Sequence, residues 1–259
     1  MQERYFPIGI QTFEEIRRLN AIYVDKTALI HRLATTGKYY FLSRPRRFGK
    51  SLLISTLKAY FEGRKDLFKG LAIEKLEQDW VSYPVLHFDF SRSKISSTEN
   101  IFNLLDSLLS CNEAMYGCQC TVREEFGLRL SNLISAAKKQ TGRNVVILVD
   151  EYDAPLLDAM HDPKLFAAAR QSMRQFFSPI KESDGNLQFV LITGITKYSQ
   201  LSIFSELNNL MIITMTDEFA AICGITKEEI IEQLEPEVEN LANALEISRN
   251  AALLRLKRK

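Results

Sequence analysis

Gly49-Lys50-Ser51 is the first triplet whose residue types and order could do chemistry together. An apolar run from Tyr39 to Leu42 stops at Ser43, the basic loop Arg44-Pro-Arg46-Arg47-Phe48 follows, and an amphipathic pattern starts at Lys50. A glycine, a lysine and a hydroxyl opening a helix form the ending of a phosphate-binding loop. Backbone N–H groups of such a loop converge on a phosphate, and the helix dipole favours the negative charge. Lys50 is placed to reach the outer phosphates, and the Ser51 hydroxyl to ligate Mg²⁺. Phe48, Gly49 and Leu52 complete the expected binding segment; Arg46 and Arg47 could lean on phosphates or face solvent. One position departs from the usual pattern, which begins with glycine five places before the second glycine. Here that position is Arg44.

A second constellation is Val145-Val-Ile-Leu-Val-Asp150-Glu151. An Asp closing a buried apolar strand can hold Mg²⁺ directly or through water. Glu151, next to it, could orient or deprotonate a water attacking a γ-phosphate. Thr193 and Thr196 follow a further apolar run and are candidates to sense that phosphate, although a threonine closing a strand more often satisfies backbone groups. Arg170 and Arg174, one turn apart, could reach a nucleotide; solvent-facing arginines are the commoner case. His31, His87 and His161 have no partner pattern and are read as structural. Gly-Lys-Ser alone arises by chance, and Asp150-Glu151-Tyr-Asp153 alone could be a solvated loop. In this order, each after a strand, they favour the chemical reading.

The elements that must position these residues are well marked. Thr12 with Glu15, Ser96 with Glu99, Thr121 with Glu124 and Thr226 with Glu229 fit capping boxes. Helices are expected near 13–19, 27–34, 50–61, 97–109, 122–139 and 163–181, the last opened by Asp162-Pro163. Residues 21–27 read as a short strand or turn. Strands are expected at 39–42, 83–90, 145–150, 187–193 and 210–215, and three helices after Thr226, Pro236 and Ser248. The unbroken β-favouring run before Asp150 suggests a strand buried on both faces, as in a parallel sheet. Alternating strands and helices argue for an α/β layered fold. The order of loop strand, extra strand, Asp-Glu strand and a fourth strand is that of the P-loop class with an added catalytic glutamate.

Composition narrows the rest. A chain of 259 residues with 46% apolar residues can bury a sizeable core. Its 33 Lys and Arg against 32 Asp and Glu leave a net charge of +1, so nothing pulls the whole chain toward nucleic acid or an acidic surface. The terminal Arg255-Leu-Lys-Arg-Lys259 reads as a solvated helix end. No apolar run reaches membrane-spanning length and the first residues lack a signal-peptide pattern, so the expectation is no membrane and a cytoplasmic location. Cys111, Cys118, Cys120 and Cys223 lack zinc-site spacing and read as reduced structural thiols.

Tyr23-Val-Asp-Lys-Thr27, Ser43-Arg-Pro-Arg-Arg-Phe-Gly-Lys-Ser51, Leu148-Val-Asp-Glu-Tyr-Asp153, Thr193-Gly-Ile-Thr-Lys197 and Ser205-Glu-Leu-Asn-Asn-Leu210 together resemble the bacterial AAA-ATPase-like family. Gly224-Ile-Thr-Lys-Glu-Glu229 matches the element that follows, and the resemblance runs from about Phe6 to the end. In that family Arg-Pro stands where other P-loops carry the first glycine, which accommodates Arg44. Ile212 departs from it, since an acidic residue is expected after Asn-Asn-Leu. The resemblance implies an α/β, three-layer P-loop NTPase fold of the AAA/additional-strand type over residues 1–223, with a helical segment at 224–259. It implies ATP and Mg²⁺ as ligands: Lys50 and Ser51 in the phosphate and metal roles, Asp150 on the metal, and Glu151 on the water. Relatives often continue through a Tyr-Asp-Gly-Tyr segment into a PD-(D/E)XK nuclease-like domain. The sequence stops about where that segment would begin, so a truncated product is expected, with a homo-oligomer or a nuclease-like domain as partner.

The leading expectation is therefore an ATPase whose turnover drives a conformational change. An ATP-binding switch with little turnover and the ATPase part of a DNA-processing protein are the alternatives. A P-loop kinase is disfavoured, since no lid or acceptor site is evident.

Overall fold

The computed structural model describes residues 5–118, 122–196 and 210–256. In chain order the elements are α1 (Phe13–Arg18), α2 (Thr27–Thr36), β1 (Tyr39–Ser43), α3 (Lys50–Phe61), β2 (Val85–Asp89), α4 (Thr98–Met115), α5 (Phe126–Thr141) and β3 (Val145–Asp150). They continue with α6 (Ala154–Ala159), α7 (Pro163–Phe177), α8 (Pro179–Glu182), β4 (Leu187–Gly194), β5 (Met211–Ile212), α9 (Lys227–Gln233), α10 (Glu235–Ala244) and α11 (Arg249–Leu256).

The strands form one parallel sheet in the order β2-β3-β4-β1-β5. Every residue of β1 and β3 is buried, as expected for central strands covered on both faces. Side-chain alternation divides the core. Phe41, Ile147, Val149, Val190 and Ile192 face a cluster built with α4, α5 and α7, while Tyr40, Leu42, Val146, Leu148, Phe189 and Leu191 face one built with α2 and α3. The strand inserted between β1 and β3 is β4, paired Ser43↔Gly194 on one side and Val149↔Ile192 on the other. All three therefore end at one edge of the sheet.

Several elements differ from the sequence expectation. Residues 21–26 form no strand. The cap before α4 is Ser97, whose side chain accepts from Asn100 N, one residue later than the Ser96–Glu99 pairing. The α4 helix runs on to Met115, because no breaker precedes Gly117. The helix expected over 122–139 begins at Phe126, and Thr121 lies outside the described residues. Thr12 makes no side-chain bond to the α1 backbone. The helix expected to reach 181 ends at Phe177 and restarts at Pro179, where proline has no N–H to continue it. The β5 strand is only two residues long: Ile213 N still donates to Phe41 O at 3.0 Å, but Ser43 N then turns to the Thr214 hydroxyl at 2.9 Å. A side chain replaces the next ladder bond and the strand stops.

Away from the sheet edge, Arg129 is buried between α4 and α5 and bonds Asp106 at 2.6 Å and Glu113 at 2.8 Å. Helices α9 to α11 close a small core of their own around Val238, Ala242 and Ala252. Among the described residues no helix is long and apolar enough to cross a membrane.

Candidate functional site

The loop 44–49 leaves β1 exposed from Pro45 to Gly49 and delivers the chain into α3 at a buried Lys50. Two residues make the turn with positive φ, Arg47 at 67° and Gly49 at 84°. A Cβ on Gly49 would meet nothing within 4 Å. Its glycine therefore serves the left-handed backbone that lets the helix start directly after the loop. Lys50 is 4% exposed, and its Nζ donates to the loop carbonyls of Arg44 at 3.1 Å and Pro45 at 3.2 Å. A buried ammonium held, among the described residues, by neutral carbonyls is a strong attractor for an anion in the loop. Ser51 lies in the first turn of α3, partly exposed, and Leu52 beside it.

Arg44 explains why this loop can do without its first glycine. Its backbone N donates to Gly194 O at 3.1 Å, and its guanidinium reaches the carbonyls of Thr214 and Ala220. The side chain thus turns away from the loop interior and fastens the loop to the chain after β5, while its carbonyl receives Lys50. Arg46 and Arg47 are exposed.

At the neighbouring strand ends, Asp150 (5% exposed) accepts a 2.6 Å bond from the hydroxyl of the fully buried Thr193. That uses Oδ1 and leaves Oδ2 for a further ligand. Glu151 follows with φ 50°, a left-handed conformation that costs a non-glycine residue about 1 kcal/mol or more. Its N–H points at Thr193 Oγ1 (3.4 Å), and the next N–H, of Tyr152, bonds Thr193 O at 2.9 Å. Burial, then the charge of Asp150, raise the Glu151 carboxyl above its ordinary value; Lys50 and Arg46 oppose the rise. A partly desolvated carboxylate with a raised pKa is suited to accepting a proton.

The β1 and β3 strands are two strand spacings apart, roughly 9–10 Å. The chain after β1, which carries Ser51, and the end of β3, which carries Asp150, therefore flank the end of β4. The Ser51 hydroxyl and Asp150 carboxylate oxygens are the hard donors that Mg²⁺ takes, usually with several waters retained. Among the described residues no cluster of three or more His, Cys, Asp or Glu could hold a metal by itself.

Other sequence candidates lie elsewhere. Arg170 and Arg174 line a separate open groove on α7 with Ala167, Gln171, Gln175 and Ser178. His87 sits on β2 with Nε2 buried and unpartnered among the described residues, its pKa lowered chiefly by burial. Cys111 and Cys223 are free thiols, the latter pushed up to about 11 by burial. Cys120, Lys197, the Ser205–Asn209 motif and residues 257–259 lie outside the described residues.

Sequence reasoning did not find the cavity beside the loop. It has a volume of about 260 Å³ and is lined by Arg47, Phe48 and Gly49 of the loop and Leu52 of α3. Its other walls include Tyr23, Val24, Ile222 and Ile225, which come from both ends of the chain. Gly224 N ties this wall to the loop by a 2.9 Å bond to Phe48 O. The signal lay in Tyr23-Val-Asp-Lys-Thr27 and Gly224-Ile-Thr-Lys-Glu-Glu229, two motifs without chemistry of their own.

A parallel α/β sheet with a lysine-bearing loop after β1 and an Asp-Glu pair after β3 is compatible with a P-loop-like fold. The family model described as "Predicted AAA-ATPase" (AAA-ATPase-like) matches residues 7–204, and the chain belongs to that family. It is 40% identical over 243 residues to an "Uncharacterized protein in vnfD 5'region" of Azotobacter chroococcum mcd 1, covering 93% of this chain and 47% of that protein. The chain thus spans about half the length of the curated relative. No solved structure matches it.

Proposed function

We propose that the chain binds Mg-ATP and hydrolyses it, with turnover coupled to movement of its C-terminal helices. Membership of a predicted ATPase family supports nucleotide binding at the coarse level. The observation that carries the finer reading is the convergence at one sheet edge of Lys50 and Ser51 after β1 with Asp150 and Glu151 after β3. In this reading the strand order, with β4 between those two, is the AAA/additional-strand arrangement. Residues 1–223 would form the nucleotide-binding unit and 224–259 a helical appendage with its own small core.

Each residue then has a distinct task. Backbone N–H groups of 46–51 cradle the phosphates, and Lys50 exchanges the carbonyls of Arg44 and Pro45 for the outer phosphate oxygens. Ser51 and Asp150 hold Mg²⁺, which when bound neutralises the charge growing on the phosphates. Thr193 keeps Asp150 oriented by its hydroxyl. Glu151 accepts the proton of the attacking water. The 260 Å³ cavity takes the nucleoside, with Phe48 at its edge. Among the described residues its lining contains no Asp or Glu, so the N–H groups of a guanine would be buried without a carboxylate acceptor and adenine is the better fit.

Calorimetric ATP binding and phosphate release by the wild type, Lys50→Ala and Glu151→Gln test this reading. Lys50→Ala is expected to lose binding, whereas Glu151→Gln keeps binding and loses turnover. Tight binding without turnover in the wild type would replace hydrolysis by a switch function.

A further inference from the structure

Asp153 is a carboxylate that the phosphate chemistry above leaves without a task. It stands at the N-cap of α6, where Asp commonly accepts from the first helical N–H groups, yet it makes no such bond. The side chain instead crosses to the end of β4. Its Oδ2 accepts from Ile195 N at 2.9 Å, Thr196 N at 2.6 Å and Thr196 Oγ1 at 2.7 Å. The residue is fully buried, and among the described residues Oδ1 has no partner. A buried carboxyl with one oxygen unsatisfied is costly, so its three bonds to residues 195 and 196 point to a geometric requirement.

Gly194 shows how tight that requirement is. A Cβ there would stand 2.5 Å from the Tyr152 ring and 2.9 Å from Asp153 Oδ1. The Tyr152 hydroxyl in turn lies 3.5 Å from Thr196 Oγ1. Together with the bond from Tyr152 N to Thr193 O, these contacts weld the turn carrying Glu151 to the turn carrying Thr196.

We infer that Asp153 is a positioning residue for the proposed hydrolysis: it fixes residues 194–196 so that Thr196 stands beside Glu151 at the γ-phosphate. This inference rests on the proposed ATP site. Asp153 touches neither nucleotide nor metal and acts through Thr196.

The test compares the full chain with Asp153→Asn, Asp153→Ala and Thr196→Val. Binding of Mg-ATP and Mg-ADP, kcat, KM and thermal melting are measured for each. Asp153→Asn and Thr196→Val are expected to lower kcat at least tenfold with KM changed less than threefold. The preference for ATP over ADP should shrink in both, because the phosphate loop is untouched and only the third phosphate loses a neighbour. The double variant should be no slower than the worse single one. Thr196→Val keeps the carboxylate and the packing, so it carries the test if Asp153 variants do not fold. Unchanged kcat and unchanged ATP preference in Thr196→Val, or a loss in Asp153→Asn that only tracks the melting temperature, would overturn the inference. A wild type that binds no Mg-ATP would instead refute the proposed function itself.

Discussion

The Thr193 hydroxyl donates to Asp150 Oδ1 at 2.6 Å across adjacent strands, between a residue with 0% and one with 5% exposure. In water this bond would be worth little. Buried, it is what keeps a carboxylate aimed along the sheet edge, since a desolvated acceptor that loses its donor costs about 1–3 kcal/mol. The same threonine takes the N–H of Glu151 and gives its carbonyl to Tyr152. One β4 residue thereby sets the direction of the whole Asp-Glu turn.

Thr193→Val, equal in shape but without the donor, should therefore lower stability by about 1–3 kcal/mol. For a chain of this size that is a fall in melting temperature of roughly several degrees. If Asp150 serves the metal, the Mg²⁺ needed for half-maximal ATP turnover should rise as well. Thr193→Ser, which retains the hydroxyl, should recover most of both effects. A Val variant that melts with the wild type would show that Asp150 needs no orienting partner.

Glu151 supplies a pH signature. Below the ordinary carboxylate range it is protonated in both folded and unfolded chains, and its burial costs nothing. As pH rises through that range the unfolded chain ionises first, so stability falls until the raised folded pKa is passed. Glu151→Gln removes this cost. Its melting temperature should exceed the wild type's at neutral pH and converge with it at acid pH. If Glu151 is the base, wild-type turnover should drop as pH falls through the same raised pKa. A stability difference between the two that is independent of pH would contradict the assignment of the titration to Glu151.

Much of this was legible in the sequence, and the gaps have physical causes. Five strands and the Asp162-Pro163 and Thr226–Glu229 helix starts are local patterns, and local patterns survive folding. Lys50, Ser51, Asp150 and Glu151 could be put forward from the sequence because each lies just after a strand in a local strand-and-turn pattern. Asp153 was passed over because its bonds go to residues 195 and 196, some 42 positions away or more. The role of Arg44 depended likewise on carbonyls 170 and 176 positions on. Pro179 was a breaker in plain view, and the helix expected over 163–181 should have been stopped before it.

Gly194→Ala tests the close approach of the two turns. The residue needs no unusual φ, so any effect is steric. A methyl 2.5 Å from the Tyr152 ring must move either a fully buried aromatic or the strand end. The expected destabilisation is about 1–3 kcal/mol, read as a lower midpoint in urea. ATP turnover should fall further than ATP affinity, because Glu151 moves and the phosphate loop does not. A variant of unchanged midpoint would mean that Tyr152 has room to swing aside.

Glu229 joins the C-terminal helices to the cavity wall through both carboxylate oxygens. Oε2 accepts from Thr226 N at 2.8 Å as half of the α9 capping box, while Oε1 takes Lys26 Nζ at 2.6 Å. The pair is 11% and 15% exposed, so solvent screens it weakly. One residue away, Asp25 N donates to Gln233 Oε1 at 2.6 Å. Lys26 and Val24 also line the cavity proposed for the nucleoside, so an occupant would press on the segment that holds α9. Lys26→Met leaves Glu229 half-paired and should weaken the docking of α9 by about 1–3 kcal/mol, roughly fivefold or more in local opening. Hydrogen exchange should then quicken over residues 227–256 while amides of β3 and β4 keep their protection. Adding ATP should slow exchange over 227–256 in the wild type, and slow it less in Lys26→Met. Equal acceleration in the sheet would show a global loss of stability, and no acceleration at all would show that Gln233 and the apolar contacts hold the helices without this ion pair.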